Sequence, residues 1–218
     1  MSTYKIQKQL ETGLKTIQER MVLSRCEGAD SPVLTIDATY NDRRTEQLLD
    51  VLEEYGAHAT FFLSGIWTEK YAGKHIGRME KLGCEIGNHS YDHPFFYELR
   101  QEEKIFQITK TQELNENVSA HAKKYFRFPF GAYQTRDLIL AEKLKYRIIQ
   151  WSVESFDWKY HETEQVLKCI EQTGPGDILI IHNDGEKTAD ALRLFLKERK
   201  EKEQDFGFIT LTEALERR

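Results

Sequence analysis

Short apolar runs alternate with amphipathic stretches along most of this 218-residue chain, and this alternation constrains the fold more than any other feature. The runs are almost continuously apolar, which is typical of strands with both faces buried in a parallel sheet. We predict strands over residues 33–37, 59–63, 84–87, 125–127, 147–151, 178–182 and 208–211. The segments between them have helical spacing, and we predict helices over residues 46–56, 101–117, 134–145, 162–173 and 187–203.

This order of elements predicts the α/β class. About seven strand–helix units without a glycine-rich phosphate loop favour a distorted (β/α) barrel of about seven strands over a dinucleotide-binding fold. The length suits a single domain, which we place at residues 1–218. The polar, helix-prone start of the chain predicts an N-terminal helical extension over residues 1–30.

Charge and cysteine content narrow the classes of function. The formal net charge is −5 and no basic patch stands out, so we expect no nucleic-acid partner. The three cysteines are scattered without a CxxC pair, which fits a reducing compartment. The first twenty residues lack the apolar stretch of a secretion signal, and no later run has the length of a membrane span. The sequence as given therefore predicts a cytoplasmic protein without a membrane span.

Polar residues follow the predicted strands at the points where the strands end. They are Asp37, His89, His93, Arg127, Asp157 and His182. In βα barrels the carboxyl ends of the strands form the rim on which active sites are built. Core packing alone does not explain so many coincidences, so we expect these side chains to share one site.

The segment GNHSYDHP contains two histidines, His89 and His93, at positions i and i+4. Imidazoles at this spacing can share one face of a helical turn and bind a divalent metal, although a pair of surface or core histidines is the simpler alternative. Two ligands do not make a tight site. In LTIDATYND, Asp37 is open to three interpretations: a metal ligand, a general base or a helix cap.

Three further segments contain candidate groups. In FRFPFGAY, Arg127 precedes a Pro-aromatic-Gly turn whose backbone N–H groups can point at an oxyanion, although an ordinary turn has the same sequence. WSVESFDWK supplies Asp157 and Trp158. GPGDILIIHN places His182 after a buried strand, where a core histidine is the usual interpretation.

Taken in this order, the segments closely resemble the polysaccharide deacetylases of the NodB homology type, a carbohydrate esterase family. The resemblance runs from Val33 to about Leu211, and ATFFLSG and CEIGNHSYDH are similar to hallmark segments of that family. It implies a NodB-like barrel and a metal-dependent hydrolase that removes an N-acetyl, or sometimes O-acetyl, group from a sugar polymer or oligosaccharide. Such an enzyme acts on a carbon–nitrogen bond that is not a peptide bond.

The resemblance also implies a role for each candidate. Asp37 matches the catalytic base and His182 the general acid, while Arg127 orients the base and Asp157 pairs with the acid. His89 and His93 match the metal histidines. The backbone N–H of Phe130 would bind the oxyanion, and Trp158 and Ile180 would line the pocket for the acetyl methyl group.

The chain departs from the family pattern most seriously at Ala38, where the family has a metal-binding aspartate. Phe130 in place of a tyrosine and Phe128 in place of a proline are milder changes. We therefore expect a weakly bound divalent metal, zinc first, with cobalt, nickel or manganese as alternatives. A third ligand could come from Asp37, which would then be compromised as a base, or from an oxygen of Thr39, Asn41 or Asp42.

Three functions stay open on the sequence. The first is an active deacetylase, which the complete set of acid–base residues favours. The second is a catalytically impaired saccharide-binding homologue, which Ala38 favours. The third is an amidohydrolase acting on a non-carbohydrate amide or imide, because fold analogy alone does not choose the substrate.

Overall fold

The computed structural model describes residues 20–202 and 207–216. Within these residues, eight strands form one parallel sheet in the order β1-β6-β5-β4-β3-β2-β8-β7, which curls into a half-barrel. The strands are β1 (Val22–Leu23), β2 (Val33–Ala38), β3 (Thr60–Leu63), β4 (Glu85–Asn88), β5 (Ala122–Phe126), β6 (Arg147–Ile149), β7 (Val153–Glu154) and β8 (Ile178–His182). The prediction of an α/β barrel-like fold is confirmed, with eight strands rather than about seven.

Helices connect these strands on the outside of the sheet. They are α1 (Thr45–Tyr55), α2 (Gly65–Lys81), α3 (Gln101–Val118), α4 (Thr135–Lys143), α5 (Thr163–Ile170), α6 (Thr188–Glu201) and α7 (Leu211–Glu216). All five predicted helices are present, whereas α2 and α7 were not predicted. Among the described residues, no helix is both long enough and apolar enough to cross a membrane.

The predicted strand over residues 208–211 is wrong. Ile209 forms only an isolated bridge with Val33. The chain then turns into α7 because Thr210 and Glu213 cap that helix. The Glu213 N–H donates to the Thr210 hydroxyl (3.2 Å), and the Thr210 N–H donates to the Glu213 carboxylate (2.7 Å). The sequence signal was the capping box TLTE.

The expected N-terminal helical extension falls partly outside the described residues. For residues 1–19 it stays a prediction. Residues 22–30 are not helical, because Val22–Leu23 pair with β6 and the following segment is held against the sheet. The Cys26 N–H donates to the carbonyl of Gly176 (2.7 Å).

The side chains of β2 alternate between two environments, as expected for a strand. Leu34, Ile36 and Ala38 are buried in the main core cluster, together with apolar residues of α1 such as Leu48. Thr35 and Asp37 occupy the intervening positions, and both are contacted by Arg127. The strand therefore presents Thr35 and Asp37 to the inside of the half-barrel and Leu34 and Ile36 to the helices, and it ends at Ala38 on the rim.

Candidate active site

A cleft of about 460 Å³ lies at the carboxyl ends of the strands. It is lined by Asp37, Thr39, Tyr40, His89, His93, Phe130, Gly131, Trp151, Glu154, Trp158, Ile180, His182 and Asp184. Seven of the nine predicted site residues are in this lining, and the other two, Arg127 and Asp157, contact Asp37 and His182 from behind. The structure thus brings all nine predicted residues together.

Asp37 and Arg127 form a buried ion pair. Nη1 of Arg127 donates to Oδ1 of Asp37 (2.6 Å), and Nη2 donates to the Thr35 hydroxyl (2.9 Å). Burial raises the pKa of Asp37, but the Arg127 guanidinium and the protonated His182 outweigh it and hold that pKa below its usual value. Asp37 is therefore an ionised carboxylate with one oxygen, Oδ2, left for other partners.

His182 lies beside Asp37 because β2 and β8 pair with these two residues in register. Its Nδ1–H donates to Oδ1 of Asp157 (2.7 Å), and its backbone N–H donates to Oδ2 (2.7 Å). Burial lowers the pKa of His182, but the Asp157 carboxylate more than compensates and raises it to about 9. His182 is therefore protonated at neutral pH, with Nε2 as its unpaired donor.

His89 and His93 lie side by side, with ring centroids 4.8 Å apart. The Nδ1–H of His89 donates to the backbone carbonyl of Arg127 (3.0 Å), which leaves Nε2 as the nitrogen with a lone pair. That nitrogen is 3.4 Å from Oδ2 of Asp37. Burial lowers the pKa of both imidazoles, and His89 also helps to bring that of His93 to about 3. Both rings are neutral, which is the form that binds a metal.

A third ligand is missing at this histidine pair. The Ala38 methyl group has no donor atom and is packed in the main core cluster. Asn41 donates to Asp184 (3.1 Å), and Asp42 accepts hydrogen bonds from Lys74 and His75 (2.8 Å each), so neither side chain is free. Thr39 lines the cleft. The described part of the chain contains no group of three or more His, Cys, Asp or Glu side chains arranged to bind a metal. The residues present fit a divalent ion only as a two-histidine site.

The chain is similar to known proteins in both sequence and structure. The family model described as polysaccharide deacetylase matches residues 24–149, which is more than half of the chain. The chain belongs to the polysaccharide deacetylase family. The related deacetylases are hydrolases of carbon–nitrogen bonds other than peptide bonds. This is the enzyme class that the sequence predicts.

Three relatives illustrate the range of the family. The peptidoglycan-N-acetylmuramic acid deacetylase PdaC of Bacillus subtilis is 33% identical over 184 residues, which cover 84% of this chain and 38% of PdaC. The structure of the Bc1960 peptidoglycan N-acetylglucosamine deacetylase has a TM-score of 0.81 at 28% identity, with 89% and 92% of the two chains covered. The structure of BA3943 from Bacillus anthracis, described as a CE4 family pseudoenzyme, has a TM-score of 0.80 at 27% identity, covering 89% and 68%.

Backbone strain is concentrated at the cleft of this deacetylase-family member. Among the described residues, five other than glycine have positive φ, and four of them lie in the site loops: Ser90, His93, Phe130 and Phe156. Such conformations cost about 1–3 kcal/mol each and persist where the surrounding structure enforces them. Here they orient a candidate metal histidine, the oxyanion turn and the loop that holds Asp157.

Several site residues were not found from the sequence. The Thr188 hydroxyl at the start of α6 donates to Oδ2 of Asp157 (2.7 Å), 31 residues away in the chain, and no local pattern signals it. Gly185 makes this contact possible, since a Cβ there would lie 2.0 Å from the Thr188 hydroxyl. Thr35, which contacts Arg127, had a weak signal because it lies two residues before Asp37 on the same face of β2.

Proposed function

We propose that this chain removes an N-acetyl, or alternatively O-acetyl, group from a sugar polymer or oligosaccharide. The observation that supports this most is the buried Asp37–Arg127 ion pair together with the partly buried His182–Asp157 ion pair, which place an ionised carboxylate and a protonated imidazole at one cleft. A carboxyl group with a lowered pKa beside an imidazole with a raised pKa is typical of a base and an acid that act together in catalysis.

In the proposed reaction, Asp37 accepts a proton from a water molecule through Oδ2. The resulting hydroxide attacks the acetyl carbonyl, and the backbone N–H of Phe130 donates to the oxyanion that forms. The C–N bond then breaks while Nε2–H of His182 donates its proton to the nitrogen. The products are a neutral amine on the sugar and acetic acid, with Asp37 protonated and His182 neutral. The acetic acid loses its proton to solvent to give acetate, and proton exchange with solvent restores both residues, so atoms and charge balance.

We propose that a divalent metal, zinc first, binds weakly at His89 and His93. When bound, such an ion polarises the acetyl carbonyl and makes water more acidic. Two neutral imidazoles supply no negative charge, whereas an aspartate at position 38 would neutralise part of the charge of the ion. Cobalt, nickel or manganese would suit the same nitrogen donors.

The substrate class follows from the relatives and from the shape of the cleft. PdaC and Bc1960 are named as peptidoglycan deacetylases, so an acetylated sugar is the substrate that we propose here. Trp158 and the nearly buried Ile180 line the cleft and provide an apolar surface for the acetyl methyl group. A pocket of this kind discriminates against each added methylene by about 1–3 kcal/mol.

A second candidate is a saccharide-binding homologue with impaired catalysis. It is favoured by one observation: Ala38 leaves the histidine pair without a carboxylate ligand. The family includes a protein, BA3943, whose structure is described as that of a pseudoenzyme. The acid–base residues weigh against this candidate, because a protein that only binds sugar needs neither the Asp37–Arg127 nor the His182–Asp157 ion pair.

The test is a deacetylation assay on acetylated chito-oligosaccharides, with and without added zinc, beside a calorimetric binding assay on the same sugars. We expect acetate release that depends on added metal and is about two to four orders of magnitude slower in Asp37→Asn. Tight saccharide binding without acetate release, at any metal concentration, would favour the second candidate instead.

A further inference from the structure

We propose that Tyr40 is a positioning residue for His93: its hydroxyl oxygen accepts a hydrogen bond from Nδ1–H of that imidazole and so keeps Nε2 ready to bind a divalent ion. No sequence pattern singles out Tyr40, which lies two residues after Ala38, where the chain departs most seriously from the family pattern. The inference rests on the proposed function, because it concerns the metal that we propose for the histidine pair.

The Tyr40 hydroxyl lies against one particular nitrogen of His93. Its Oη is 3.3 Å from Nδ1, and the two rings meet edge to face with centroids 5.7 Å apart. Tyr40 follows the end of β2 and His93 follows β4, and both line the cleft. The contact therefore joins the loop that leaves the candidate base, Asp37, to the loop that carries the histidine pair.

A metal ion on Nε2 determines what the other ring nitrogen needs. A neutral imidazole has one ring proton, so an ion bound at Nε2 places that proton on Nδ1, which then requires an acceptor. For His89, the acceptor is the backbone carbonyl of Arg127 (3.0 Å). For His93, the Tyr40 oxygen is the only partner of Nδ1 among the described residues. Tyr40 therefore does for His93 what that carbonyl does for His89.

The backbone of His93 is fixed, so its ring depends on its neighbours for orientation. Its φ is 64°, and its N–H donates to the Ser90 hydroxyl (3.2 Å). The buried Gln107 of α3 holds the same loop, because its Oε1 accepts from the N–H of Tyr91 (2.7 Å). Within the described part of the chain, Tyr40 is the one residue that offers the His93 ring a hydrogen bond.

The same contact distinguishes a positioning role from that of the missing third ligand. The two nitrogens of an imidazole point in different directions, so a hydroxyl bonded to Nδ1 does not reach an ion on Nε2. Tyr40 is half-exposed, so its own O–H can donate to water while its oxygen accepts from Nδ1–H of His93. Tyr40 therefore sets the direction of the imidazole lone pair and supplies no donor atom to the ion.

The test is calorimetric titration of zinc into the unmodified protein, Tyr40→Phe, Tyr91→Phe and His93→Ala. Tyr40→Phe keeps the aromatic ring and removes only the oxygen. Tyr91→Phe is the matched control, because Tyr91 lies between the two histidines in the chain and its hydroxyl donates to Glu69 (3.0 Å). The titrations are repeated with Ala38→Asp, whose added carboxylate should tighten binding. Thermal unfolding of the metal-free proteins shows that each variant is folded.

A second readout is independent of affinity. NMR of the ring nitrogens of His93 in the zinc-bound protein shows which nitrogen carries the proton and how fast that proton exchanges with water. A residue that only packed against the histidine would change neither. Because calorimetry and NMR do not use turnover, both results stay separate from the outcome of the deacetylation assay.

We expect Tyr40→Phe to weaken zinc binding by about tenfold, with or without Ala38→Asp, and Tyr91→Phe to leave it unchanged. The proton of His93 should lie on Nδ1 and exchange faster in Tyr40→Phe. An unchanged affinity in Tyr40→Phe, an equal loss in Tyr91→Phe, or a proton on Nε2 overturns the role of Tyr40 alone. Zinc binding that is the same in His93→Ala overturns the proposed histidine site and the role of Tyr40 together.

Discussion

The acid–base half of the cleft, made of Asp37, Arg127, His182 and Asp157, differs from the metal half, made of His89, His93 and Ala38. In the first half, Asp37 and His182 each have a buried partner of opposite charge at 2.6–2.7 Å. In the second half, the two imidazoles are oriented and neutral, but the position expected to supply a carboxylate has a methyl group packed in the core.

The two halves therefore differ in completeness: Asp37 and His182 each have a charged partner, whereas the histidine pair lacks a carboxylate ligand. A buried ion pair is expensive to keep, because desolvation offsets most of its attraction, and removing one partner leaves an uncompensated charge. In the proposed function, these two pairs serve proton transfer. The metal half has no carboxylate at position 38, which would weaken affinity for the proposed ion without disturbing the acid–base residues.

The largest expected effect is on the acid–base half. His182→Ala and Asp37→Asn should each lower kcat/KM by about two to four orders of magnitude, because each removes a proton-transfer group. The measurement is acetate release with saturating zinc. His121→Ala is the matched control, since that histidine lies just before the start of β5, at the opposite end of the sheet. Near wild-type turnover in either active-site variant would contradict the assignment.

The next effect is on stability. Arg127→Met should lower the free energy of unfolding by about 3–5 kcal/mol, because it leaves the buried Asp37 carboxylate without its partner. Urea denaturation measures this loss. In the double variant Asp37→Asn/Arg127→Met the loss should be smaller, since no charge is left unpaired. A cost below about 1 kcal/mol for the single variant would show that the pair is not coupled as the structure has it.

A smaller and more specific effect concerns the pH dependence of kcat. Asp157 raises the pKa of His182 to about 9, so the protonated acid is present below that pH and activity should fall as the pH rises through it. Asp157→Asn removes the carboxylate charge, so the pKa of His182 should fall and the basic limb of the kcat profile should move to lower pH, by about two units. An unchanged basic limb would mean that His182 is not the acid.

Much of this site could be predicted from the sequence because its residues lie where strands end. Asp37 and His182 each end a continuously apolar run, and the parallel pairing of β2 and β8 brings such positions together. The strand over residues 208–211 was predicted wrongly because apolar content was given more weight than the capping box at Thr210.

The other features of the site depend on contacts between residues that are far apart in the sequence, and no local pattern signals such contacts. The Thr188 hydroxyl reaches Asp157 across 31 residues, and Phe95 stacks on Phe130, which is 35 residues away in the chain. The two-residue strand β7 is too short to show a period.

The most direct test of the difference between the two halves is calorimetric titration of zinc into the unmodified protein, Ala38→Asp and the uncharged, similarly sized Ala38→Asn. We predict weak binding to the unmodified protein and at least about tenfold tighter binding to Ala38→Asp alone, because a carboxylate supplies both a ligand and a negative charge. Without metal, Ala38→Asp should unfold at a lower temperature, since its charge is buried, and zinc should restore that temperature. Equal affinity in all three proteins, or a tightly held stoichiometric metal in the unmodified protein, would contradict the account.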